Sequence, residues 1–250
     1  MGKVLNFINK ETKRRKLHFS LIDPDPGKIT NLEERIKALD KFGTDAYMVG
    51  GSTNVEQSFL DSTVKKIKAV SKKPVILFPG GLNGVSKYAD AIFFMSLMNS
   101  RNPNWIVGKH ALGSLIVKEA DIEPLSMGYL IIEPGMKVGK VGEAELKKHG
   151  ENSKAAGYAL AAQYLGMSLV YLEAGSGAYK CVPPEMISAV KSQIKIPLIV
   201  GGGIRSGEAA LTALKAGADI VVTGTVIENS FEKVGEIISM IRKFRKTKIK

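Results

Sequence analysis

Val200-Gly201-Gly202-Gly203-Ile204-Arg205-Ser206-Gly207 is the stretch from which the fold can be read. An apolar run, Ile196 to Val200, feeds it, and a helix-forming segment, Glu208 to Ala216, leaves it. A second apolar run, Asp219 to Val222, follows and ends in Thr223-Gly224-Thr225. Glycine has no Cβ, so backbone N–H groups can close on a ligand there. A strand that runs through glycines into a helix N-terminus is a ready anion site. Two such sites, one helix apart, match the phosphate cradle after strands seven and eight of a (β/α)8 barrel. One glycine cluster alone is weak, because ordinary strand-to-helix turns carry glycine too. The pair, late in a chain of 250 residues, is stronger.

Six further apolar runs precede this pair, so the chain carries eight strands alternating with helical segments, the pattern of parallel βα units. Leu5 to Arg15 reads as a leading helix, and Lys16 to Ile22 is the first strand, ending in Asp23-Pro24-Asp25-Pro26-Gly27. Strand two, Asp45 to Val49, ends in Gly50-Gly51-Ser52-Thr53-Asn54. The helix after it turns Phe59, Val64, Ile67 and Val70 inward. Strand three, Pro74 to Phe78, ends in Pro79-Gly80-Gly81; Leu82 to Tyr88 has no full helical stripe, so the helix after strand three is expected to be weak or missing. Strand four ends near Met95, with a helix over Trp105 to Val117. Strand five, Gly128 to Ile132, ends in Glu133-Pro134-Gly135, and Met136 to Gly142 reads as a loop. Strand six, Leu169 to Leu172, ends in Glu173-Ala174-Gly175-Ser176-Gly177. The expected fold is one α/β domain over residues 1–250, a single (β/α)8 barrel. The alternative, a doubly wound open sheet, usually carries its glycine fingerprint after strand one, where this chain has Asp-Pro-Asp-Pro.

Composition narrows the function class. With 44% hydrophobic residues the chain can bury a large core. Its one cysteine, Cys181, excludes an internal disulfide. No apolar run is long enough to span a bilayer, and Met1 to Arg15 lacks the apolar core of a signal peptide, which reads as a cytoplasmic protein. The net charge of +12 favours polyanions, acidic membrane surfaces or phosphorylated substrates. No nucleic-acid-binding motif accompanies it, which sets a non-enzymatic polyanion-binding protein behind an enzyme. The basic segment Arg242 to Lys248 reads either as a solvated helix end or as a peripheral contact with an anionic membrane.

In such a barrel the strand C-termini converge on one mouth. They are Asp23 and Asp25, Gly51 and Ser52, Pro79 and Gly80, Asn99, Glu133, Glu173 to Gly177, Gly202 and Gly203, and Gly224 and Thr225. Asp23 and Asp25 are hard oxygen donors suited to magnesium, which takes one or two carboxylates and completes its shell with phosphate and water; a solvated Asp-Pro turn is the plainer alternative. Alternation puts Tyr171 and Glu173 on one side of strand six. There a carboxylate and a phenol could hold substrate hydroxyls, with Glu173 as general base or simply in a salt bridge to Lys180. His18 reads as a barrel residue, His149 as solvated, His110 as a surface residue and Trp105 as packing.

Together these strand ends resemble the geranylgeranylglyceryl phosphate synthase family. The resemblance rests on His18 to Asp25, Gly50 to Thr53, Asn99 to Gly108, Tyr171 to Gly177, Val200 to Arg205, and Gly224-Thr225. The glycine motifs are shared by many phosphate-binding barrels; Leu-Ile-Asp-Pro-Asp together with Tyr-Leu-Glu-Ala-Gly-Ser-Gly is far more specific. The resemblance implies a Mg2+-dependent prenyltransferase that joins sn-glycerol 1-phosphate to geranylgeranyl diphosphate in archaeal ether-lipid biosynthesis, working as a homo-oligomer. It places Asp23 and Ser52 at the metal. It places Tyr171, Leu172, Glu173, Ala174, Gly175, Ser176, Gly177, Gly202, Gly203, Gly224 and Thr225 around the glycerol phosphate, with Glu173 and Tyr171 as catalytic candidates. Pro79, Gly80 and Leu97 are candidates for the groove of the prenyl tail. Bacterial relatives carry a lysine near the position of Leu21, so leucine there favours the archaeal branch. The rival is another phosphate-binding barrel enzyme, an isomerase or synthase, which would share the cradle but leaves Asp23 with Ser52 unexplained.

Overall fold

The computed structural model describes residues 2–25, 27–28, 30–51 and 56–244. Eight parallel strands close into a barrel in chain order: β1 (Leu17–Ile22), β2 (Ala46–Gly50), β3 (Val75–Phe78), β4 (Ala91–Leu97), β5 (Glu123–Ile131), β6 (Leu169–Glu173), β7 (Leu198–Gly201) and β8 (Ile220–Thr223). Closure is made by β1 against β8, with Leu17 opposite Ile220 and Phe19 opposite Val222. Each strand is buried on both faces, which is why the strands read as continuous apolar runs and not as alternations.

Two cores follow from the two faces. Inside the barrel lie Phe19, Met48, Ile76, Phe93, Met127 and Ile199. Outside it, residues such as Val49, Leu172 and Val200 meet the ring of helices: α2 (Leu32–Phe42), α3 (Gln57–Val70), α4 (Lys109–Glu119), α6 (Asn152–Tyr164), α7 (Pro184–Gln193), α8 (Gly207–Lys215) and α10 (Phe231–Lys243). The leading helix, α1 (Lys3–Thr12), packs Val4, Leu5 and Ile8 into the interior cluster. The Glu123 carboxylate at the start of β5 accepts from the N–H groups of Val4 and Leu5 at 2.7 and 3.1 Å. That bond satisfies two of the donors every helix start leaves open. It also seats α1 at the N-terminal end of the strands, so the C-terminal end is the free mouth.

His18 lies on the outer face of β1, fully buried. Its Nδ1 is 3.1 Å from Thr44 Oγ1 and its Nε2 2.8 Å from Thr223 Oγ1. Burial pushes its pKa down to about 3, so it is a neutral, satisfied wall residue. A second buried polar knot, at Asp219, takes Lys16 Nζ at 3.1 Å, Lys191 Nζ at 2.6 Å and the Leu198 N–H at 3.0 Å. It ties β1, β7, β8 and α7 together away from the mouth.

Residues 79–90, between β3 and β4, hold no helix. Three details differ from the sequence reading. Phe59 is 41% exposed and Leu60 takes the inward position on α3, a shift of one residue in the helical stripe. Met136 to Gly142, read as loop, hold a short helix, α5 (Met136–Val141), whose Gly139 lies against Leu146 as does Gly135 just before it. A second short helix, α9 (Thr225–Asn229), starts directly at the end of β8. No helix among the described residues is long and apolar enough to cross a membrane.

Candidate functional site

The free mouth opens into one cavity of about 430 Å3. Its floor is aromatic. Phe78, Tyr129 and Tyr171 meet with ring centroids 5.3 to 5.9 Å apart, Tyr129 edge-on to both others and Phe78 stacked on Tyr171. Tyr129 and Tyr171 are direct neighbours across β5 and β6, and the next inward pair is Ile131 and Glu173. Both phenols face the Glu173 carboxyl and favour its charged form, and the Gly175 N–H donates to its Oε1 at 2.6 Å. Glu173 is only 6% exposed. Burial raises its pKa above the ordinary carboxylate value, against the pull of these three donors. Burial and the neighbouring carboxylate likewise raise both tyrosines, so the phenols stay protonated and donate. No lysine is paired with Glu173 among the described residues; the salt bridge to Lys180 read as the alternative is replaced by this trio of neutral donors.

The glycines have individual reasons. At Gly201 a Cβ would fall 2.1 Å from Tyr171 Oη, so its absence makes room for the phenol. Gly202 has φ +85, and a Cβ there would fall 2.6 Å from Glu173 Oε1 and 2.6 Å from the Gly175 nitrogen. Gly202 is therefore where β7 closes on the carboxylate of β6. Gly224 has φ −128 and needs no such exception; a Cβ there would meet only the Leu21 side chain, at 3.2 Å. The loops around it are cross-tied: Ser176 Oγ lies 3.2 Å from Thr225 Oγ1, and Arg205 Nη2 donates to the Gly177 carbonyl at 2.7 Å.

Of the eleven residues expected around a glycerol phosphate, Tyr171, Glu173, Ser176, Gly177, Gly202, Gly203, Gly224 and Thr225 line the cavity. Leu172 and Ala174 do not. Alternation turns their side chains outward into the helix-facing core, leaving only their backbone on the mouth side. The Gly175 N–H is already committed to Glu173.

Asp23 lines the cavity, buried at the end of β1. Its Oδ2 is 2.5 Å from Lys28 Nζ, and its Oδ1 accepts from the Asp25 N–H at 3.0 Å. Asp25 points elsewhere, its Oδ1 taking the Gly27 N–H at 2.9 Å, and it does not line the cavity. Glu228 of α9 does, and burial raises its pKa, with Asp23 and Asp25 adding to the rise and Lys28 opposing it. Ser52 lies outside the described residues. Among the described residues no cluster of three or more acidic, histidine or cysteine groups could hold a metal alone. One carboxylate with a second acid nearby is a donor set that fits magnesium completed by phosphate and water.

The far arm of the cavity is apolar. Pro79, Gly80 and Leu97, the groove candidates, line it together with Phe94, Met95 and Val138. This arm opens where residues 79–90 form no helix. Two residues read as packing and surface also border it. Trp105 sits in a π-helical turn, Asn104–Gly108, with Lys109 Nζ 3.2 Å from its ring centroid. His110 turns inward, its Nε2 2.7 Å from the Met95 carbonyl and its ring edge-on to Phe94. Asn99 and Glu133, by contrast, do not line the cavity. Asn99 is a buried brace whose amide joins Ile131 and Glu145, and Glu133 is exposed.

A family profile described as the PcrB family matches residues 9–246. The geranylgeranylglyceryl phosphate synthase of Thermococcus kodakarensis is 58% identical over 94% of each chain. That of Pyrococcus horikoshii is 53% identical over 97% of this chain and 96% of its own. Among solved structures, the (S)-3-O-geranylgeranylglyceryl phosphate synthase of Thermoplasma acidophilum, in complex with its substrate sn-glycerol-1-phosphate, superposes with a TM-score of 0.92 at 41% identity, covering 98% of this chain and 100% of that one. An N-acetylmannosamine-6-phosphate 2-epimerase from Clostridium perfringens, 15% identical with a TM-score of 0.58, shares the fold alone.

Proposed function

Because the chain belongs to the PcrB family, we propose that it transfers a geranylgeranyl group from geranylgeranyl diphosphate to a hydroxyl of sn-glycerol 1-phosphate. The products are 3-O-geranylgeranylglyceryl phosphate and diphosphate, in archaeal ether-lipid synthesis. The observation that carries this reading is the continuity of the cavity. One end holds a buried carboxylate beside a glycine cradle, and the other is an apolar arm left open by the missing helix. An isomerase or synthase acting on a small phosphorylated substrate has no use for that arm.

The chemistry follows from the chain's own groups. Backbone N–H groups at Gly202, Gly203, Gly224 and Thr225 anchor the acceptor phosphate. Glu173 accepts the proton of the acceptor hydroxyl while the hydroxyl oxygen bonds to the allylic carbon and the bond from that carbon to diphosphate breaks. Its raised pKa brings it closer to the range in which a base accepts a proton efficiently. Tyr129 and Tyr171 hold the carboxylate in place, which preserves the geometry on which the rate depends. Asp23, with Ser52 as companion, is the proposed holder of Mg2+, which supplies positive charge to the leaving diphosphate.

The test is direct. Purified protein given both substrates should release diphosphate and form a product of the expected mass, lose activity in excess EDTA, and prefer a twenty-carbon donor in a panel of prenyl diphosphates. Turnover without diphosphate release would refute the reading. We also propose a homo-oligomer, supported by the exposed apolar face of Val107, Leu112, Leu115 and Ile116 on α4 and the turn before it.

A further inference from the structure

Lys28 stands on the loop between β1 and α2, and its Nζ is 2.5 Å from Asp23 Oδ2. The two partners are unequally exposed. Asp23 is buried at a strand end, with its Oδ1 accepting from the Asp25 N–H, whereas the Lys28 side chain is 41% exposed. Lysine carries its compact charge on a flexible four-carbon stem. Glu228 and Asp25 also attract it, and Lys28, Asp23 and Glu228 border the same cavity. A divalent ion on Asp23 would meet a like charge a few ångströms away and be repelled by it. A diphosphate entering the same cavity offers the ammonium a new partner of the right sign.

We propose that Lys28 is a transferable counter-ion: it holds Asp23, competes with the divalent ion for that carboxylate, and turns to the donor diphosphate when ion and donor bind together. This rests on the reading of Asp23 as the metal ligand. The consequence is coupling: the ion binds Asp23 poorly alone and well with the donor, so charge is assembled at the leaving group only when one is present.

The experiment uses Mn2+ alone as the probe, titrated calorimetrically into wild type, Lys28→Met, Lys28→Arg and Asp23→Asn, each with its thermal melt to verify folding. Lys28→Met should bind Mn2+ roughly threefold tighter or more, the scale of one exposed ion pair, and Lys28→Arg should stay near wild type. In steady-state assays Lys28→Met should raise the KM for geranylgeranyl diphosphate about tenfold, as for a lost charged hydrogen bond, and leave that for sn-glycerol 1-phosphate unchanged. Equal or weaker Mn2+ binding by Lys28→Met, or an unchanged donor KM, overturns the proposal. Asp23→Asn binding Mn2+ as wild type overturns the underlying metal assignment as well. Loss of binding in Asp23→Asn beside an unaltered Lys28→Met overturns Lys28 alone.

Discussion

Glu173 carries opposite demands from folding and from chemistry. Its folded pKa is raised by burial, so its contribution to stability is present below the ordinary carboxylate range and lost as pH rises through the raised value. At pH 8 the ionised carboxylate weakens the fold. Glu173→Gln removes that cost while keeping the side chain's size. Its melting point at pH 8 should match or exceed wild type, with the gap closing as pH falls towards 4.5, while kcat drops roughly 10²–10⁴-fold. A lower melting point with near-normal kinetics would make Glu173 a structural residue. The two cradle glycines should also separate. Gly202→Ala forces a Cβ against Glu173 Oε1 in a left-handed backbone, and should cut kcat about 10²-fold by moving the base. Gly224→Ala meets no left-handed backbone, and its Cβ would touch only the Leu21 side chain. It should raise the KM for sn-glycerol 1-phosphate severalfold with kcat near wild type. Identical kinetic profiles for the two variants would refute this division of roles.

Among the elements, the departures from a regular barrel are the informative ones. The stretch between β3 and β4 makes no helix because Asn83-Gly84 and its neighbours offer no apolar stripe to bury, and the apolar arm of the cavity opens there. On α4 the reverse holds: Leu115 is 72% exposed on a helix whose buried residues are Gly113 and Val117. The substitution expected to break an oligomer is Leu115→Glu, which puts a charge on that apolar face. Light scattering should show a smaller species than wild type, with the monomer's circular dichroism intact. An unchanged mass would remove this face as the interface. At the other end, the Arg242 side chain of α10 packs over Gly43 at the C-terminus of α2, where a cation suits the helix dipole. That part of the basic segment is thus engaged with the fold; residues 245–248 lie outside the described chain.

For the molecule as a whole, acid stability should be governed partly by His18. Its folded pKa is lowered to about 3 by burial, so the unfolded chain takes up a proton that the barrel refuses. Stability is full above pH 6.5 and falls as pH drops towards 3, by on the order of 4 kcal/mol from this residue. Urea unfolding across that range checks the slope, and a signal assigned to the His18 imidazole that titrates near 6.5 in the folded protein would contradict it.

The barrel, its missing helix and most of the strand ends are legible in the sequence. These properties are local: apolar runs, glycines that stop them, and alternation within one strand that sets Tyr171 and Glu173 on one side. Which side chains meet depends on the closed sheet. Tyr129 was not legible as a site residue, because its place beside Tyr171 is a register between strands forty residues apart. Lys28 was one lysine among many until β1 and its loop brought it to Asp23. The Gly202 carbon was read as room for a phosphate; packing shows that it is also room for Glu173. Asn99 and Glu133 end strands as the others do, yet one braces β5 and the other faces solvent. A strand end states that a residue is near the mouth. Whether its side chain enters the cavity depends on twist, register and the neighbouring strand, which arise only when the sheet closes.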